Sequence, residues 1–134
     1  MFSISSIRIL ILILVLAAML RFSGLGNNSF VADEFLDINS TYGYHQTGEW
    51  RAWDFNFGAP STVSENVARD ERAALYKWQV AQLFSFLSPT EAVARSISAI
   101  WGIFGILAVF WSAWIFTRRQ DISLVAAFFC TISV

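Results

Sequence analysis

Charged residues are scarce in this 134-residue sequence, at 14%, where a soluble domain carries about 25%. The shortage is local. Residues 97–116 hold no charge at all, whereas residues 22–94 hold nine of the ten acids. There is one cysteine, Cys130, so no disulfide can form within the chain, and its place in an apolar run points to inert packing. Two prolines and no low-complexity run argue against a disordered tail. A single histidine, His45, has no clustered partner and reads as a packed or surface side chain. No internal repeat is present.

What the sequence has is hydrophobic length. Hydrophobic residues make up 56% of it, with six Trp and thirteen Phe. The run ILILILVLAAML at 9–20 extends to a span at about 4–22 if Arg8 and Arg21 reach toward the two membrane surfaces. A cleaved leader is the competing reading, of a secreted or transporter-like chain. No A-x-A site follows the run, which favours an anchor. Residues 97–116 (ISAIWGIFGILAVFWSAWIF) lie within a second span at about 95–117, and Arg118-Arg119 follow it. Gly102 and Gly105 would let neighbouring helices approach closely. Residues 122–134 begin a third apolar run.

Between the spans, about 23–92, the sequence turns polar. Ser23-Gly24-Leu25-Gly26-Asn27-Asn28 is a stop with turn chemistry. A short helix is expected at about 34–47, with Phe35, Ile38 and Tyr42 near one face and Gly48 as its C-terminal cap. Residues 49–67 read as loop. A second helix is expected at about 68–87, where Tyr76, Val80, Leu83, Phe84 and Leu87 make an amphipathic face widened by Leu75, Trp78 and Phe86. Such a helix suits the membrane interface. Ser88-Pro89-Thr90-Glu91 fits a capping box with Ser88 as N-cap and Pro89 at the first helical position. The expected class is therefore an all-α polytopic membrane protein, with two full transmembrane helices, the start of a third, and short surface helices in the first outer loop, all within one membrane domain.

Arg8 before the first span and Arg118-Arg119 after the second place both ends in the cytoplasm by the positive-inside rule. The 23–92 loop then faces the periplasm or the extracellular side of a plasma membrane. It holds nine acids against four bases, Arg51, Arg69, Arg72 and Lys77. That balance disfavours nucleic acid and suits proton abstraction or a cation. Asp33-Glu34 is the pair best placed for either: as a general base toward a hydroxyl, or as a ligand for a divalent metal. Asp33 as a plain helix cap is the alternative. Trp50, Trp53, Phe55 and Phe57 could stack on a sugar ring or fill the loop core. Arg21 and Arg95 could meet a phosphate or simply end helices at the surface.

The order of the short strings is more specific than any one of them. LRFSGLG closes the first span; DEF, TGEW and ALYKW follow; SPTEAVARSISAIWGIFGILAVFWSAWIFTRR forms the second span. This order resembles the start of the GT-C membrane glycosyltransferases, in the branch of aminoarabinose transferases and protein O-mannosyltransferases. Ala73-Ala74 stand where that family has prolines before Leu75-Tyr76. The resemblance implies an inverting transfer of sugar from a polyprenyl phosphate to an acceptor lipid, glycan or protein. Asp33 would be base or metal ligand, with Glu34 beside it. Asp70 and Glu71 would supply a second acidic group, and Lys77 and Arg95 would lie near the lipid phosphate; the alternative for Lys77 is a snorkelling interfacial lysine. Family members are far longer, so this chain corresponds to their N-terminal part and is expected to be inactive alone. The alternative is a small non-enzymatic membrane anchor or assembly protein with an acidic outer interaction loop.

Overall fold

A computed structural model of the chain describes residues 3–60 and 74–133. The described residues are mostly helical: α1 (Ile4–Phe22), α2 (Ala32–Thr47), α3 (Ala74–Phe84), α4 (Glu91–Thr117) and α5 (Gln120–Ile132). A short ladder, β1 (Trp53–Asp54) with β2 (Ala59–Pro60), is the one sheet among them. Two compact units divide the chain, Met1–Gly24 with Ser98–Val134, and Leu25–Ile97.

The first unit packs α1, α5 and most of α4. Its core is Ile13 and Ala17 from α1, Ile106 and Phe110 from α4, and Ala127 from α5. α1 and α5 run parallel, as their end contacts show. At the start of both helices the Ser6 hydroxyl donates to Gln120 Oε1 at 2.6 Å. At their far ends Arg21 donates to the carbonyls of Cys130 and Thr131 at 3.3 and 3.4 Å. These are last-turn carbonyls that α5 cannot satisfy itself, and a cation also complements the negative end of the helix. Arg21 is thus a helix cap rather than a free phosphate ligand, and it lies against Gly102, where a Cβ would meet its Nε at 2.6 Å.

α5 approaches closely because Ser123, Ala127 and Thr131, one per turn, are small and wholly buried. The two hydroxyls donate to carbonyls four residues back, Arg119 at 2.8 Å and Ala127 at 3.0 Å, so no buried donor is stranded. The reversal between α4 and α5 takes only Arg118 and Arg119, with Arg118 in the left-handed region at φ 55°. Ile4–Phe22 and Glu91–Thr117 are both long and apolar enough to cross a membrane, and only 11% and 17% of their most apolar stretches are buried within the protein.

The second unit packs α2, α3 and the first turns of α4. Ile38, Val80, Phe84, Ala94 and Ile97 form the core, with Phe30, Tyr42, Phe55, Tyr76, Leu83 and Val93 against it. Of the expected apolar faces, Ile38, Val80 and Phe84 are buried and Phe35, Tyr42, Tyr76 and Leu83 half-buried, whereas Leu75, Trp78, Phe86 and Leu87 are exposed. Gly48 caps α2 at φ 76°, its N–H donating to Tyr44, as its position in the sequence indicates.

Three expectations need correction. α3 ends at Phe84 rather than Leu87. Ser85 and Phe86 close tighter turns onto Gln82 and Leu83, and Ser88, preceding Pro89, is steered out of the helical region. The cap of α4 is Thr90 rather than Ser88: Thr90 Oγ1 accepts from the Val93 N–H at 3.3 Å, and the helix opens at Glu91. Pro89 therefore precedes the helix. The expected loop after Glu49 contains the β1–β2 ladder, with Trp53 opposite Pro60. Asp54 shapes its turn by accepting from the Asn56 and Phe57 N–H groups at 2.9 and 3.1 Å. Asn39 Oδ1 fastens the ladder to α2 by accepting from the Phe55 N–H at 3.0 Å. The expected start of α3 at residue 68, with Asp70 and Glu71, lies outside the described residues.

Gly43 sits where α2 meets the residues leading into β1. A Cβ there would overlap the Arg51 carbonyl and touch Trp53. Gly43→Ala should therefore destabilise the protein by about 1–3 kcal/mol despite alanine's better helix propensity. Gly105→Ala, which meets nothing within 4 Å, should be near neutral. Thermal unfolding of the purified variants in detergent checks the contrast.

Candidate functional site

Arg95, in the second turn of α4, organises the candidate site. Its Nε and Nη2 donate to the two Glu34 carboxylate oxygens at 3.2 and 2.8 Å. Nη1 donates to the carbonyls of Leu25 and Asn28, both at 2.8 Å, and Nη2 also reaches Ser29 at 3.3 Å. A guanidinium has five N–H donors, so this set uses all of them. The Phe30 ring lies 5.0 Å beneath the guanidinium carbon. Arg95 is thus a tether between the turn 25–29, the start of α2 and the start of α4. It is not a free phosphate ligand.

Glu34 is the third residue of α2 and reaches back to the Val31 N–H at 3.3 Å. This is half of a capping box, because Val31 has no side-chain acceptor. The hydrogen bonds from Arg95 hold the Glu34 carboxyl below its ordinary range against an opposing burial effect, with the Val31 N–H assisting. Glu34 is accordingly ionised and engaged, a poor candidate for a proton acceptor. Asp33, one residue earlier, is exposed at the second position of the helix rather than at its cap.

Hard divalent cations take six or more oxygen ligands, usually with several carboxylates. Glu34 is committed to Arg95, and among the described residues no group of three or more His, Cys, Asp or Glu could hold an ion.

Asp37 was not singled out in the sequence, yet it is the acid that faces a cleft. The cleft, about 70 Å³, is lined by Phe30, Glu34, Asp37, Ile38, Tyr76, Ala94 and Arg95. Asp37 Oδ1 is buried there without a hydrogen-bond partner. The lining thus carries one arginine and two carboxyl groups. Tyr76 closes one side, its hydroxyl donating to the Ala94 carbonyl at 3.1 Å. The signal in the sequence was the spacing: Asp37 follows Glu34 by three residues, on the same helical face.

Lys77 was expected at the surface. It is fully buried, with its ammonium 5.2 Å from the Trp50 ring, which in turn stacks on Tyr44 at 4.3 Å. Neither a snorkelling lysine nor a lipid-phosphate contact fits that placement. Phe55 fills core between Phe30 and Tyr42, at 5.4 and 5.5 Å, while Phe57 is exposed. His45 packs on Tyr42 and Phe84 at 5.9 and 6.0 Å. The chain matches no protein-family model, no curated protein and no solved structure.

Arg95→Ala leaves three loop carbonyls and Glu34 without their donor and should cost about 1–3 kcal/mol of stability. Because the folded pKa of Glu34 is lowered, its contribution is complete above the ordinary value near 4.5 and is lost as pH falls through the lower folded value. Unfolding midpoints measured from about pH 6 to pH 3 should fall at the acid end, and Glu34→Gln should flatten that fall.

Proposed function

We propose that this chain is a membrane-embedded part of a glycosyltransferase that moves a sugar from a polyprenyl phosphate to an acceptor at the outer membrane face. α1 and α4 are the spans. Their exposed apolar side chains, Leu12, Met19, Trp101 and Phe104 among them, form a surface that suits lipid and would be costly in water. Pairing of Ser6 with Gln120 brings the starts of α1 and α5 to one end of the first unit. Arg8 lies two helical turns or less from that end and Arg118-Arg119 adjoin it, which supports a cytoplasmic placement. The loop 23–92 then lies on the periplasmic or extracellular side.

The observation that carries the enzymatic reading is the division between Asp33 and Glu34. Glu34 is locked to Arg95 and fixes the start of α2, and Asp33 beside it is exposed, where it would act as the general base. Asp33 takes the proton of the acceptor hydroxyl, whose oxygen attacks the anomeric carbon. The bond from that carbon to the phosphate oxygen breaks, and the polyprenyl phosphate leaves with the electron pair, inverting the centre. Asp37, one turn further along α2, is placed to accept a hydrogen bond from a second donor on a substrate edge. The cleft at Asp37 is far below the roughly 300–1,000 Å³ of a site that encloses a ligand, so most of the donor pocket lies elsewhere.

A second reading, a non-enzymatic anchor or assembly protein, is favoured by the internal use of the two cations: Arg95 spends every donor within the fold and Lys77 is buried. Two measurements separate the readings. A topology reporter fused after residue 60 should report the outer side, and a cytoplasmic signal would defeat the glycosyltransferase reading. In membranes carrying the full-length protein, Asp33→Asn should lower transfer from the polyprenyl-phosphate sugar by about 10²–10⁴-fold with expression unchanged. Near-normal turnover would leave the anchor.

A further inference from the structure

The first unit contains an apolar groove of about 200 Å³ lined by Ser6, Ile7, Leu10, Phe110 and Trp111. It opens between the first turns of α1 and the later turns of α4. The one hydroxyl in its lining, Ser6, is already bonded to Gln120 and Ser3, so the groove offers hydrocarbon contacts only.

Cations gather at the same end. Arg8 is exposed on the flank of α1 away from Ser6 and Leu10, and its long side chain lets the charge reach the headgroup level at that end. Trp114 follows Trp111 by three residues and Phe110 by four, on neighbouring positions of α4. Arg118 continues that row, its guanidinium carbon 5.1 Å from the Trp114 ring. Trp111 and Arg118 are seven positions apart, a rise of roughly 10 Å toward the end of α4. The acid nearest by chain, Asp121, is engaged by Arg119 at 2.6 Å. It is the only acid in the unit's two segments, so Arg8 and Arg118 face no carboxylate there.

We infer that this groove is a binding site for an anionic phospholipid, one acyl chain lying between α1 and α4 and the phosphate headgroup meeting Arg118 and Arg8. The inference rests on the membrane reading above and is separate from glycosyl transfer. A zwitterionic lipid offers the same chain without the net charge. The arginines, rather than the groove, therefore set the preference, with each cation contributing about fivefold.

The full chain is reconstituted into nanodiscs containing equal amounts of phosphatidylcholine and phosphatidylglycerol. After mild detergent extraction, the lipid retained per protein is measured by mass spectrometry. Wild type should retain phosphatidylglycerol in excess. Arg118→Gln and Arg8→Gln should each cut the excess about fivefold. Leu10→Trp, which fills the groove and keeps both charges, should lower total retained lipid. Equal retention of the two lipids by wild type would overturn the inference, as would an excess unchanged in either arginine variant or a total of retained lipid unchanged in Leu10→Trp. Failure of the chain to enter the bilayer would instead overturn the membrane reading beneath it.

Discussion

The Arg95 guanidinium, sharing its donors among Glu34 and the carbonyls of Leu25, Asn28 and Ser29, fixes the geometry on which the candidate site depends. Residues 25–29 have no helix or strand to satisfy their backbone, and polar backbone groups left without partners are costly. A side chain with fewer donors could not serve three carbonyls and a carboxylate together. Lysine, with three donors on a single nitrogen, could not reproduce the planar fork that grips both Glu34 oxygens. The same contact sets where α2 begins, and so the direction in which Asp33 and Asp37 project.

The two units use different physics. The second is held by an apolar core with aromatic edge contacts, as around Phe55 and Phe84, and by side-chain bonds to backbone such as Asn39 to Phe55. The first has a thin core, and its α1 and α5 meet through Ala17 and the small row Ser123, Ala127 and Thr131. Close backbone approach with hydroxyls satisfied inside their own helix suits packing in lipid, where burying apolar surface brings little net gain. Polar bonds are kept for the ends, at Ser6–Gln120 and Arg21–Cys130.

Much of this was legible in the sequence wherever the signal is local. The bounds of α1 follow from one apolar run between Ser3 and Ser23, and the end of α2 follows from Gly48. The α4 cap was legible only to within two residues, because Ser88 and Thr90 are both competent caps and a single bond from Val93 decides between them. The site was less legible. Arg95 and Glu34 are 61 residues apart, and nothing in their flanks announces the pairing. Lys77 carries the label of an interfacial lysine, yet Trp50 on the other side of the loop supplies the face that covers it. Asp37 was overlooked because adjacent carboxylates draw attention, whereas on a helix the informative neighbour is three or four residues away.

That geometry also explains why the Asp33-Glu34 dipeptide does not act as a unit. Successive residues on a helix point about 100° apart, so a contact that captures one carboxylate turns the other away. Arg95 takes Glu34, and the cleft is lined by Glu34 and Asp37, with Asp33 one turn before Asp37 on α2 but not in the lining. A lone adjacent pair could have bound a cation between them only if neither were engaged. With one already paired to a guanidinium, the remaining carboxylate gains a fixed position instead of a second ligand. Fixed position is what a general base needs, since proton transfer depends first on reach and geometry. The same five hydrogen bonds that hold Glu34 thereby fix the first turn of α2, on which Asp33 stands.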